Sequence, residues 1–259
     1  MKQLTGAMLA LAVLLIIGVG CGTKVPQEIP FQAPSAVPAV TATVGPLTFN
    51  QRVEKLNPSL QRYVKRLYKE YAKSTWNHRK WSKLDAYIKE VHKRAEKQYK
   101  FNNPMTDREI QELSYGINVY STKWKHSPRD LSVSYMTHES GFLDIVGDKI
   151  DKKTKQTNPP ERCSIGQGQV QLETARGNLR ARGYDPTGLT TDDLLYFRLM
   201  NMDISICVMS AKVRDLGRKC GLQAYNGGDN GWKDGRSLQY YRDVMAVYKQ
   251  RAKWTEIEQ

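Results

Sequence analysis

Apolar residues recur along most of this chain at three- and four-residue intervals, the period of helices packed on one side. Asn57-Pro58 opens one such run with a cap and a first-turn proline, and Leu60, Val64, Leu67 and Tyr71 form its stripe. Trp81, Leu84, Ile88 and Val91 begin a second. Asn102-Asn103-Pro104 breaks the pattern, and Thr106-Asp107-Arg108-Glu109 then reads as a capping box ahead of Ile110, Leu113 and Ile117. A helix is predicted from about Pro128 to His138, with Ser127 placed to cap it, Pro128 suited to its first position and Gly141 ending it. Leu172 to Arg182 makes a short helix stopped by Gly183. Thr190-Thr191-Asp192-Asp193 starts a helical region that reaches Leu216-Gly217 with a break near Asn201, and Ser237 to Trp254 forms the last helix. The polar stretch from Asp144 to Arg162 is longer than an ordinary loop and reads as a surface insertion bordering a cleft. No run alternates with the two-residue period of a strand, so the expected fold is mainly α.

Ahead of the helices, Met1-Lys2 leads into an apolar run from Leu4 to Val19 that ends at Gly20-Cys21. The run is short for a bilayer span and suits a signal-peptide core. A small residue before Cys21 looks like a bacterial lipoprotein cleavage site, with Cys21 as the lipidated residue, although Gly18 stands where such sites usually carry Leu. An uncleaved anchor and ordinary secretion are the alternatives. All three expect an extracytoplasmic chain; the lipoprotein reading expects a periplasmic one, held to the membrane by an N-terminal lipid anchor. From Gly22 to about Asn50 the composition shifts to Pro, Ala, Thr and Val with no period, as in an extended tether. The expected organisation is a signal peptide at 1–20, a tether at 21–50, a basic helical segment at 51–105 and a catalytic domain at 106–254.

With 259 residues the chain can bury a real core, and a formal net charge of +14 points to an anionic partner: nucleic acid, a membrane face or an acidic polymer. The cations are scattered along helices without zinc-ligand spacing or an RNA-binding signature, so neither nucleic acid nor a metal or other cofactor is expected. Tyr63, Tyr68, Trp76, Trp81 and Tyr87 read either as core packing or as a saccharide-stacking surface, and His92 as a solvated side chain. Setting Cys21 aside, Cys163, Cys207 and Cys220 allow at most one bridge. Cys163 with Cys220 is the candidate disulfide, because both flank loops beside the expected cleft; Cys207 lies mid-helix.

Glu139 falls at a helix C-terminus, where unpaired carbonyls make the potential negative and favour a carboxylic acid over a carboxylate. Water exclusion by Tyr135, Phe142 and the Gly-Gln-Val-Gln segment would raise its pKa further, as a general acid near neutral pH requires. The other reading is an exposed Glu at a frayed helix end.

Four motifs follow in order: Glu139-Ser140-Gly141-Phe142, Gly168-Gln169-Val170-Gln171, Ala224-Tyr225-Asn226-Gly227-Gly228 and Tyr240-Tyr241-Arg242-Asp243-Val244. Over about 106–254 the chain resembles the soluble-lytic-transglycosylase (SLT) catalytic domain, a lysozyme-like fold that cleaves peptidoglycan glycan strands. The resemblance implies a mainly α, lysozyme-like SLT domain preceded here by an extra helical segment and the N-terminal signal and tether. It implies Glu139 as sole acid and base, forming 1,6-anhydro ends without consuming water. It implies Gln171, Tyr225, Asn226, Ser140, Gly168 and Tyr240 around the substrate, with Gly166 and Gly168 letting backbone approach the glycan. Cell-envelope assembly partners are a further expectation. Three departures stand out: Gln169-Val170 replaces Leu-Met, Arg236 stands where the family often has Glu, and Glu173 where it often has Met. Glu173 is a candidate second carboxylate, which would suit a lysozyme-type hydrolase on the same fold. A non-catalytic glycan-binding or assembly protein, or a nucleic-acid binder, are the remaining alternatives.

Overall fold

Side-chain caps start three of the early helices of this computed structural model, which describes residues 47–74, 80–150, 155–228, 230–233 and 235–255. α1 (Phe49–Lys55) opens on a capping box between Thr48 and Gln51, so helix begins just inside the stretch read as tether. α2 (Pro58–Lys73) opens on Asn57, whose side-chain oxygen takes the Leu60 amide. α3 (Ser82–Tyr99) follows, then α4 (Asp107–Trp124), which opens on the Thr106–Glu109 box. Leu60, Tyr63, Val64 and Leu67 of α2, and Leu84, Tyr87, Ile88 and Val91 of α3, are buried. The aromatics of the stripes are therefore mostly core, as when Tyr87 packs 4.5 Å from Trp254 between ring centroids; Trp76 lies outside the described residues. His92 is not solvated but 5 % exposed, because positions 88, 91, 92 and 95 share one helical face.

α5 (Arg129–Glu139) is buried along most of its length. Ser127 does not cap it: its hydroxyl shares a 3.1 Å hydrogen bond with the Ser132 hydroxyl, and the helix starts after Pro128. α6 (Leu172–Ala181) and α7 (Thr191–Tyr196) lead into α8 (Arg198–Gly227), and the break between the last two falls at Phe197 rather than Asn201. α8 does not stop at Gly217. It bends there, because Gly217 takes φ 73°, and runs on to Gly227. α9 (Leu238–Tyr248) is followed by one 3-10 turn, Arg251–Lys253. α4 lies along α8, and Gly116 permits the close approach: a Cβ there would sit 2.8 Å from Met202 Sδ.

The polar stretch after α5 is more than a loop. β1 (Val146–Gly147), β2 (Ser164–Ile165) and β3 (Val170–Gln171) form one antiparallel sheet in that order, with Val146 opposite Ile165 and Ser164 opposite Gln171. Strands of two residues carry no readable alternation, which is why the pattern along the chain missed them.

Asp203 joins the helices. Fully buried, it accepts hydrogen bonds from Tyr63 Oη (2.6 Å) on α2, Lys123 Nζ (2.9 Å) and Trp124 Nε1 (2.9 Å) on α4, and Arg182 (2.5 Å) just after α6. The basic helical segment is thus part of the same packed unit. Asn57 Nδ2 reinforces this by donating to the Thr187 carbonyl at 2.6 Å.

Two further expectations are corrected. Cys163, Cys207 and Cys220 are all free thiols. Cys163 Sγ points at the Pro159 carbonyl, 3.6 Å away, and Cys207 Sγ accepts from Asn178 Nδ2 at 3.2 Å, so the Cys163–Cys220 bridge is not formed. The membrane-anchored, periplasmic lipoprotein is likewise withdrawn. Among the described residues no helix is long and apolar enough to cross a membrane; α4, for example, carries Asp107, Arg108, Glu109, Glu112 and Lys123. The signal peptide, Cys21 and most of the tether fall in 1–46, outside the described residues.

Candidate functional site

The last turn of α5, the small sheet, α8 and the start of α9 enclose a cleft of about 710 Å³. His138 and Glu139 come from α5, Asp148 and Ser164 from the sheet, and Gln169, Val170 and Gln171 from its last strand and turn. Val208, Lys212, Tyr225 and Asn226 come from α8, and Tyr240 from α9. The helix ends where it does because Gly141 and Phe142 both take positive φ, 59° and 64°. That turn leaves the Glu139 side chain facing the opening.

Glu139 is half-buried, and burial pushes its carboxyl up to about 8. The Tyr240 hydroxyl donates to its Oε1 at 2.5 Å and pulls the value down, while the negative charge of Asp148 adds to the rise. His138 stacks edge-on against Tyr240, with ring centroids 5.0 Å apart, and burial holds its own pKa below the usual imidazole range despite Asp243. Burial and the Asp148 charge outweigh the Tyr240 hydrogen bond, and the neutral imidazole supplies no compensating cation, so Glu139 is a protonated acid at neutral pH. The frayed, exposed Glu is not what the fold holds.

Asp148 is the residue the sequence concealed. It sits at positive φ (52°) just after β1, exposed in the cleft, and accepts a 2.6 Å hydrogen bond from Ser164 Oγ. Its signal was a strand pair too short to recognise. Glu173, the candidate second carboxylate, instead lies exposed on α6, ion-paired to Arg180 (3.2 Å) and Arg176 (3.6 Å), and does not line the cleft. Lys212, Thr174 and Val208 also line the cleft, and no motif had marked them.

The other expected residues divide. Gln171 and Asn226 are exposed on the cleft wall. Tyr225 lines it too, but its hydroxyl donates to the Gly168 carbonyl at 2.7 Å, and Tyr240 is the tyrosine that holds the acid. Ser140 is wholly buried and donates to the Gln167 carbonyl at 2.9 Å, so it fixes the turn before β3 rather than facing a substrate. Behind that turn the Gln167 amide donates to Asp144, which Arg198 pairs at 2.6 Å; burial pushes Asp144 up to about 6 against Arg198. Gly168 and Gly166 make close approaches to α8, not to the cleft: a Cβ on either would run into Ser205 or Asn201 respectively. Gln169 spends its amide on the Gly166 carbonyl at 2.8 Å. Arg236 is exposed and off the cleft.

Among the described residues no group of three or more His, Cys, Asp or Glu side chains is arranged to hold a metal ion. The arrangement can deliver a proton from Glu139 to a group lodged in the cleft, and it keeps a carboxylate, Asp148, in the same space. No family model, no curated protein and no solved structure matches the chain.

Proposed function

We propose that the chain is a lytic transglycosylase that cleaves the β-1,4 bond between N-acetylmuramic acid and N-acetylglucosamine in peptidoglycan. The observation that carries the reading is a protonated, half-buried Glu139 held by Tyr240 at the edge of an open cleft, set among the motifs that resemble the SLT domain. Glu139 gives its proton to the glycosidic oxygen as the bond to C1 breaks. The resulting carboxylate takes the proton of the muramic C6 hydroxyl, whose oxygen closes on C1. The acid is regenerated, and the product carries a 1,6-anhydro end. Gln171 and Asn226 offer amide donors and acceptors to the sugars from the facing wall.

One observation favours a second reading, a lysozyme-type hydrolase. Asp148 is a cleft carboxylate oriented by Ser164, the group that a water-activating base would require. Mass spectrometry of purified peptidoglycan digested by the full chain, by Glu139→Gln and by Asp148→Asn separates the two. Anhydro ends from the wild type and from Asp148→Asn, with none from Glu139→Gln, are expected. Reducing ends that vanish in Asp148→Asn would install the hydrolase. Absence of any cleavage by the wild type would sink both.

A further inference from the structure

α2 buries Leu60, Tyr63, Val64 and Leu67 and turns the opposite side outward. On that side Arg62, Lys65, Lys69 and Lys73 are all exposed, at helical intervals of three, four and four residues. They form one row about 16 Å long at the ordinary helical rise. None of the four makes an ion pair among the described residues. Glu70, the single acidic residue of α2, is engaged with Arg66 at 3.7 Å. α3 repeats the arrangement more weakly: Lys93 and Lys97 are exposed, and Lys89 reaches Asp107 at 3.5 Å. The core needs none of these cations.

The neighbours of the row narrow the choice of partner. A helix that lies in a membrane interface carries apolar anchors at its water boundary, and a single-stranded nucleic-acid surface carries exposed aromatics for stacking. Tyr63 and Tyr87 are buried, and among the described residues the exposed large apolar side chain is Ile150, on neither helix. What is left is a row dominated by lysine, whose hydrated point charges attract an anionic polymer without demanding one fixed bidentate geometry. Such a row suits a flexible polymer bearing spaced, solvated carboxylates.

We propose that the outer face of α2 is a rail that holds the carboxylate-bearing glycan substrate outside the cleft, a reading that rests on the proposed function. The rail raises the local concentration of polymer by long-range attraction, so its effect is screened by salt.

The test is co-sedimentation of the full chain with purified insoluble peptidoglycan, in a Glu139→Gln background that cannot cut it. The combined variant Lys65→Glu, Lys69→Glu and Lys73→Glu is expected to bind roughly tenfold more weakly at low salt and indistinguishably at about 0.5 M salt. The Gln counterparts, kept for the case that reversal disturbs folding, should fall between. With Glu139 intact, cleavage of short soluble glycan fragments that lack peptide stems is expected to be unchanged by the lysine substitutions. Equal sedimentation of variant and parent overturns the rail. So does a loss confined to duplex DNA, or to anionic phospholipid vesicles, run in parallel. If the Glu139-intact parent cuts no peptidoglycan, the proposed function fails by itself, while sedimentation still decides the rail.

Discussion

Asp203 and Glu139 are both carboxylates taken largely out of water, and the protein treats them in opposite ways. Burial would raise the Asp203 pKa, but Arg182 and Lys123 carry it below the usual carboxylate range, and Tyr63 and Trp124 add neutral donors. Glu139 is also desolvated, and among the described residues Tyr240 alone opposes the rise, while the nearby charge that acts on it, Asp148, is of the wrong sign. Asp203 is therefore an anion that ties α2, α4, the end of α6 and α8 together. Glu139 is an acid kept neutral at a cost to the fold. The two carboxylates differ in whether cations were supplied: one is held as an anion and the other as a neutral acid.

The largest effect that would break this contrast is on stability at neutral pH. Asp203→Asn leaves Arg182 and Lys123 facing a neutral amide, and should cost about 3–5 kcal/mol in denaturant unfolding. Glu139→Gln replaces a neutral acid by a neutral amide of the same shape and should cost far less. Equal losses from the two substitutions would show that the carboxylates are not distinct in kind.

The pH dependence sharpens it. The folded pKa of Glu139, about 8, lies above the value of 4.5 for the free side chain. Stability from its neutral state is complete below 4.5 and is lost as pH rises through 8. Glu139→Gln should remove that loss, leaving the variant more stable than the wild type by a few kcal/mol above pH 8. Asp203 has the opposite slope. Its folded pKa is depressed, so its contribution is present above 3.8 and disappears as pH falls through the lower folded value. Thermal unfolding across pH for the wild type, Glu139→Gln and Asp203→Asn should give two slopes of opposite sign. A Glu139→Gln curve parallel to the wild type between pH 4.5 and 8 would place an ordinary, ionised glutamate at the site.

Tyr240→Phe tests the one donor that Glu139 has among the described residues. The hydrogen bond lowers the Glu139 pKa, so its removal should move the alkaline limb of cleavage to higher pH, while turnover falls by about tenfold as the acid loses its orientation. A limb that stays in place would mean that Tyr240 merely packs against His138.

How far this contrast was legible in the sequence depends on the range of the interactions. Helix starts are local, and Asn57-Pro58, Thr106–Glu109 and Thr190–Asp193 all cap where their residues indicate. The place of Glu139 at a helix end was legible as well, from a glycine and flanking aromatics within a few residues of it, but those neighbours alone suited an exposed Glu better, and its burial is set by α8, α9 and the sheet. Asp203 was not legible, because its four partners come from positions 63, 123, 124 and 182 and meet only once four elements are packed. The same reason hid Asp148, which reaches the cleft through strands two residues long, and misdirected the second carboxylate to Glu173. Tyr225 and Tyr240 lay in motifs of equal weight, and only their distances from Glu139 and Gly168 distinguish the one that holds the acid from the one that holds the turn.

The smallest expected effect concerns that turn, which must hold still for a neutral Glu139 to face the same partners. Gly168 rests against Ser205, so a side chain at position 168 would compete for space with the serine on α8. Gly168→Ala should cost about 1–3 kcal/mol, because its Cβ and the Ser205 side chain claim the same space. Ser205→Gly alone should cost about 0.5–1 kcal/mol from helix flexibility. Together the two should cost less than the sum, since removing the serine side chain clears the room the alanine needs. A double-mutant cycle by chemical denaturation reads the coupling directly. Strict additivity would mean that the turn yields to the extra methyl by moving away from α8, and the Tyr225 hydroxyl would then lose its 2.7 Å contact with the Gly168 carbonyl and with it the wall that faces the acid.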